Sequence, residues 1–283
     1  MNYYIVIPAH NEANYIGLTL NSIVSQTVLP KKVIIVDDNS TDNTSEIISE
    51  FSTNYSFITS IKTTSSNLHL PGSKVINAFY KGYNLLDDHY DFIVKLDADI
   101  ILPNSYFETL SHHFKSDSKI GMVGGFAYTE KNNQWVLENL TNKDHIRGAF
   151  KAYRKQCFLD IGKLKPSMGW DTVDELLAQY HNWKIKTDDT LVVKHLKPTG
   201  KTYNKTARYK QGEAFYKLGY GFLLTTIASL KLALLKKQPL LFIDYLRGFH
   251  KASTYNIQKL VSPQEAKFIK TLRWKGILQK IKP

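Results

Sequence analysis

The chain has 283 residues, of which 43% are hydrophobic and 22% charged, with a single cysteine, Cys157. This fits one large globular domain, or a domain with an appendage, and excludes a disordered chain and an internal disulfide framework. The net charge of +12 is uneven: Tyr216 to Pro283 carries 13 Lys and Arg against 2 Asp and Glu, so +11 sits in the last quarter, as expected of a basic region facing an anionic surface.

The elements read in chain order. "YYIVIPA" is a strand, and Ile16, Leu20, Ile23 and Val24 recur at helical spacing until Pro30. "KVIIVDD" is a second buried strand, followed by "STDNTSEIISEF", whose Ser, Thr and Asp residues suit a helix start. "FITSIKTT" is a third strand, Val75, Phe79, Tyr83 and Leu86 make another helix face, and "FIVKLDAD" is a fourth strand. This alternation predicts an α/β fold with a parallel sheet covered by helices. Beyond it the spacing predicts a helix near Tyr106–Lys115, a short strand at "IGMVGG", a loop-rich stretch to about Leu164, a helix at "DELLAQYH" and a strand at "TLVVKHL". From about Gly212 the pattern is helical, broken in two at Pro239, so residues 1–211 are expected as the main domain and 212–283 as a basic helical region.

The opening "MNYYIVIPAHNE" lacks a basic segment and a cleavage site, so a signal peptide is not expected. Nor is a membrane span, for want of about 18 consecutive uncharged apolar residues. A cytoplasmic protein is expected, peripheral at most to the inner face of the plasma membrane. Nucleic acid is not an expected partner, because no binding motif accompanies the positive charge.

Ligands of parallel sheets sit beyond the carboxyl ends of the strands. Four such ends carry polar groups here: "PAHNE", "DDNSTD", "TTSSNLHLPGSK" and "DAD". Turn and capping roles account for many Asp and Asn residues. They account less well for Asp97 and Asp99, which repel each other unless a cation lies between them. A hard divalent metal, Mg²⁺ or Mn²⁺, meets that need and bridges to phosphate oxygens.

The blocks "IPAHNEANYIGLTLNSIVSQT", "VIIVDDNSTDNT" and "DFIVKLDADIIL" resemble, in order and spacing, the N-terminal blocks of the family 2 glycosyltransferases of GT-A fold. Weaker similarity continues to "HLKPTG". The resemblance implies inverting, metal-dependent sugar transfer from a nucleotide donor, most often a uridine one, to a hydroxyl of a saccharide or lipid-linked acceptor. It implies that Pro8, Ala9, Asn11 and Glu12 line the nucleotide pocket, with Glu12 near the ribose. Asp38 or Asp37 would bind the base, Lys74 would lie near the nucleotide, Asp97 would face the ribose or sugar, and Asp99 would hold the metal. His195 resembles the late histidine that completes the metal shell in some members.

Inverting transfer also needs a base near the acceptor hydroxyl. The candidates are Asp171, Asp174 and Glu175 in "GWDTVDELL", where acidic residues also suit a first helical turn. The family usually shows adjacent Glu-Asp here, and this chain does not. Counting back from Asn182-Trp183-Lys184 favours Asp171; counting from Gly169-Trp170 favours Asp174. The expectation settles on Asp174 ahead of the other two. Trp170 is a candidate to stack on an acceptor sugar or a core residue.

Other functions fit less well. A hydrolase needs carboxylates on opposite sides of the bond, and a nucleotidyltransferase needs a basic, glycine-rich phosphate loop that "IPAHNEANYIG" lacks. A non-catalytic GT-A scaffold binding nucleotide or partner proteins is the alternative that the altered acidic block leaves open. In the tail, "LGYGFLLTTIASLKLALLKKQPLLFIDYLRGF" is apolar with interspersed Lys231, Lys236, Lys237 and Arg247. It reads either as a helical lid with a solvated basic face or as an amphipathic segment resting on anionic lipid.

Overall fold

A computed structural model describes residues 1–64, 72–138, 144–197 and 207–281. The first part of the chain alternates as expected: β1 (Tyr3–Ala9), α1 (Ile16–Val24), β2 (Lys32–Asp38), α2 (Thr44–Asn54), β3 (Ile58–Thr63), α3 (Ser73–Tyr83) and β4 (Phe92–Leu96). These strands are parallel in the order β3-β2-β1-β4. Runs of Ile and Val in β1, β2 and β4 are buried along their length, as strands covered on both faces must be. The chain leaves β1 toward β2 on one side and returns to β4 on the other. A crevice therefore opens at the carboxyl ends of β1 and β4.

The second half is mixed. β5 (Ile100–Ile101), α4 (Tyr106–Ser116), β6 (Ile120–Lys131), β7 (Gln134–Leu137), β8 (Phe150–Arg154), α5 (Lys155–Asp160), α6 (Trp170–Tyr180) and β9 (Lys184–His195) follow. The sheet continues β4-β8-β6-β9-β5, with β8 antiparallel to both neighbours and β7 folded back on β6.

This half departs from the sequence reading. The stretch expected to be loop-rich contains the second half of β6, with β7, β8 and α5. "FKAYR" reads poorly as a strand because Lys151 stands in it, yet β8 is a central strand and Lys151 is buried. β9 begins well before "TLVVKHL", in a polar stretch that pairs with β6. Residues 65–71, from the loop expected after the third strand, and 198–200, at the end of "HLKPTG", lie outside the described residues.

The C-terminal part is helical from Ala207: α7 (Ala207–Lys217), α8 (Phe222–Leu235), α9 (Leu240–Thr254) and α10 (Pro263–Ile281). The expected boundary at residues 211–212 falls inside α7. Leu218, Val261, Ala266 and Ile269 join the main core, and Phe268 of α10 meets Tyr180 of α6 edge-on at 5.5 Å. α7, α8 and α9 pack mainly on one another around Tyr216, Phe249 and Tyr245.

α3 lies close on the sheet because Gly82 has no side chain. A Cβ there would stand 2.7 Å from Val6 Cγ1 and 2.8 Å from Val36 Cγ2. Gly82→Val is expected to cost about 1–3 kcal/mol through overpacking, read as a lower urea midpoint with an unchanged slope.

Candidate active site

The crevice predicted by the topology is an open cleft of about 260 Å³. Pro8, Ala9, His10 and Glu12 line it from β1, Asp38 from β2, Lys74, Val75 and Ala78 from α3, and Asp97, Ala98 and Asp99 from the turn after β4. Six of the eight residues expected around the nucleotide therefore share one cleft. Asn11, which is exposed, and Asp37, which is buried, do not line it. Asn11 adopts a left-handed conformation, φ 54°, and its Oδ1 accepts the Thr41 N–H at 2.8 Å, tying the β1 and β2 loops together. Asp37 accepts the Ser40 N–H at 3.0 Å and the Ser45 hydroxyl; these bonds outweigh burial and hold its carboxyl below the usual range. Of the two neighbours, Asp38 is the one that reaches the cleft.

The Asp97-Ala98-Asp99 turn is fixed from three sides. Asp97 N–H donates to Ala149 O at 2.7 Å, and Leu196 N–H donates to Asp99 O at 2.9 Å. Thr19 of α1 donates to Ala98 O at 2.7 Å and accepts the Ile100 N–H at 3.0 Å. A loop so tied presents its carboxylates without needing to be ordered by a ligand.

The carboxylates crowd one another. Burial raises Asp97, Lys95 partly offsets this, and Asp99 raises it further. Burial also raises Glu12, against the pull of Lys197, and both Asp97 and Asp99 add to the rise. Three cations answer this charge. Lys95, almost fully buried, pairs with Asp97 Oδ1. Lys197 pairs with Glu12 and lies over the Tyr15 ring. His195 Nε2 stands 3.4 Å from Asp99 Oδ2. Burial opposes protonation of His195, but hydrogen bonding to Asp99 and Glu138 outweighs it and pushes its pKa to about 9.

The donor set suits a hard cation. Asp99 and His195 converge, Asp97 is electrostatically coupled to Asp99, and a metal entering here would replace the proton that His195 otherwise carries. Among the described residues no group of three His, Cys, Asp or Glu side chains forms a metal cage by itself.

α6 begins beside this cleft. Ser73 Oγ at the start of α3 donates to Pro166 O at 2.8 Å, and Gly72, at φ 76°, lets Ser167 O approach to within 2.5 Å of where a Cβ would stand. Lys95 Nζ lies 5.1 Å from the Trp170 ring centre while it pairs with Asp97. Trp170 itself is buried, its ring against the Gly148 backbone, so it forms a wall and leaves little face for stacking.

The three acidic candidates on α6 have different surroundings. Asp174, 1% exposed, is bound by Lys151 Nζ at 3.0 and 3.1 Å and by the Tyr153 hydroxyl at 2.6 Å. Glu175 is bound by Lys151 Nζ at 3.0 Å, the Ile146 N–H at 2.9 Å and His145 Nδ1 at 2.8 Å. Burial disfavours charge on both. Lys151 overcomes this at Glu175, holding it below its ordinary value, whereas Asp174 stays raised. Asp171 is 33% exposed, with His145 Nε2 3.8 Å from its Oδ2.

His10, Lys95 and Lys197 were missed by the sequence reading. His10 stands inside "PAHNE", where Nδ1 meets Asp38 O at 2.7 Å. Lys95 is two residues before Asp97, on the same strand face, and that period was the signal for it. Lys197 follows His195 by two residues, on the segment that reaches back to Glu12.

Residues 4–164 match the sequence profile described as Glycosyl transferase family 2. A poly-beta-1,6-N-acetyl-D-glucosamine synthase of Staphylococcus epidermidis is 26% identical, over 65% of this chain and 45% of the relative. The chain thus spans less than half the length of the curated relatives it matches. Among solved structures, S. aureus TarS in complex with UDP-GlcNAc superposes with a TM-score of 0.58 at 16% identity, covering 77% of this chain and 67% of that one. The mannosyltransferase PcManGT from Pyrobaculum calidifontis, in complex with GDP-Man and Mn²⁺, gives a TM-score of 0.56 at 16% identity, covering 99% and 80%. The fold is that of the GT-A glycosyltransferases, and the chain belongs to glycosyl transferase family 2.

Proposed function

We propose that this protein transfers a sugar, with inversion, from a nucleotide-diphosphate donor to a hydroxyl of a saccharide or lipid-linked glycan. A UDP-sugar is the favoured donor, on the strength of the solved neighbour bound to UDP-GlcNAc and of the polysaccharide synthases among the relatives. The observation that carries this reading is the joining of two sites. A cleft lined by Glu12, Asp38, Lys74, Asp97 and Asp99 lies against the start of α6, where Asp171 is the acidic side chain left open.

Within that cleft Asp38 and Glu12 bind the nucleoside, and Lys74, in the first turn of α3, adds positive charge for the diphosphate. Mg²⁺ or Mn²⁺, held by Asp99 with His195 and Asp97, would stabilise charge on the departing diphosphate. Asp171 takes the acceptor proton while the hydroxyl oxygen bonds to the anomeric carbon. The bond to the diphosphate oxygen breaks, and its electron pair leaves with the nucleotide. Asp171 suits this role better than Asp174, whose oxygens are already committed to Lys151 and Tyr153. Glu175 is engaged in the same way.

Three variants test the assignment. Asp99→Asn is expected to lower turnover about a thousandfold and to remove the effect of Mn²⁺ on UDP binding, measured by calorimetry. Asp171→Asn is expected to lower kcat about 10²- to 10⁴-fold with donor affinity and melting temperature unchanged. Lys151→Met leaves two buried carboxylates without their cation, so it is expected to lose about 3–5 kcal/mol of stability in urea. An Asp171→Asn enzyme of full activity would return the base to Asp174.

A further inference from the structure

α8 is apolar on both faces. Its inward face carries Leu224 beside Thr225, Ser229 and Ala233, the last three at four-residue spacing, with Ala228 and Leu232 packed against the helical core. Thr225 Oγ1 and Ser229 Oγ have no hydrogen-bond partner among the described residues. The outward face carries Leu223, Ile227, Leu230 and Leu234, at spacings of four, three and four, which places them along one line of the helix. Leu223 is 61%, Leu230 49% and Leu234 66% exposed. An ordinary surface helix turns a polar face to solvent.

The stripe runs on around the turn into α9. Leu235 and Leu240 are 68% and 71% exposed, and Ile243 follows one turn later. Lys236 and Lys237 stand between them at the tip, Lys231 lies beside the stripe, and Arg247 and Lys251 extend along α9; all are exposed. Asp244 is the one acidic residue from Phe222 to Tyr255.

We propose that the α8–α9 hairpin is a docking surface for an anionic lipid bilayer, with the leucines immersed at the headgroup boundary and the lysines at the phosphates. Apolar residues at the centre of a basic frame match that boundary. A second copy of the chain matches it poorly, because each frame of lysines would face another. At about 1.5 Å per residue, the 14 residues of α8 are too short to cross a bilayer. No described helix is long and apolar enough to do so. The hairpin lies on the membrane, and its docking does not depend on the donor cleft being active.

Flotation of the full chain with vesicles tests this. The vesicles are phosphatidylcholine alone, or phosphatidylcholine with about a third phosphatidylglycerol. The wild type is expected to float with the anionic vesicles and to stay behind with the neutral ones. Leu230→Ser/Leu234→Ser/Leu235→Ser is expected to abolish flotation. Lys236→Gln/Lys237→Gln is expected to weaken it about thirtyfold, at roughly 1 kcal/mol per lysine. Leu18→Ser, an equally exposed leucine on α1, serves as the control and is expected to float like the wild type. Melting curves confirm that each variant folds, and donor hydrolysis in solution is expected to be unchanged in all. A wild type that does not float, or a triple variant that does, overturns the proposal. So does a wild-type dimer, seen by light scattering, that the triple variant loses while neither binds vesicles.

Discussion

Buried carboxylates placed side by side are tolerated only where positive charge answers them. This constraint shapes both halves of the site, and the two halves satisfy it differently. On α6, Asp174 and Glu175 share one permanent cation, Lys151. That lysine is fully buried in β8, and its proton is held more tightly than usual: the carboxylates, Asp174 first, outweigh the cost of burial. The charge is closed off from solvent, and the cluster ties α6 to β8. In the cleft, Glu12, Asp97 and Asp99 are met by cations that come from different segments. Lys197 is the more exposed of these, at 38%, while Lys95 and His195 are largely buried. A closed charge cluster and an open one are chemically similar in sequence and differ in what the fold brings to them.

That difference explains what could be read from the sequence. The parallel half was legible because Ile and Val runs, turn residues and helical spacing agree in each of its elements. The cleft was legible because a parallel sheet dictates where strand ends meet, so Pro8, Glu12, Asp38 and Asp99 could be brought together before their distances were known. Nothing near Asp174 in sequence reveals its pairing with Lys151, more than twenty residues earlier on β8. The same lysine disguised β8, since a charged residue in a short alternating stretch suggests a loop. One pairing, invisible to local pattern, thus hid both a strand and the partners of an acidic residue.

α8 left two readings open in the sequence, a helical lid and an amphipathic segment on lipid, because a run that is apolar on every side does not say which face turns inward. In the fold, small residues allow close packing on one side: Ala233 sits against Leu241 and Tyr245 of α9.

Lys95 joins the two halves of the site. Its ammonium pairs with Asp97, at the donor side, and lies over Trp170, the residue before Asp171. Trp170 is fixed in turn by Gly148, where any side chain would meet its ring at under 3 Å. The distance between donor carboxylates and the proposed base is therefore set by one buried lysine and one buried indole, both on rigid elements. An error of an ångström in that distance is costly for an in-line attack. Rigid packing at this seam is better suited to holding it than a loop would be, and it gives Trp170 a role that requires no contact with sugar.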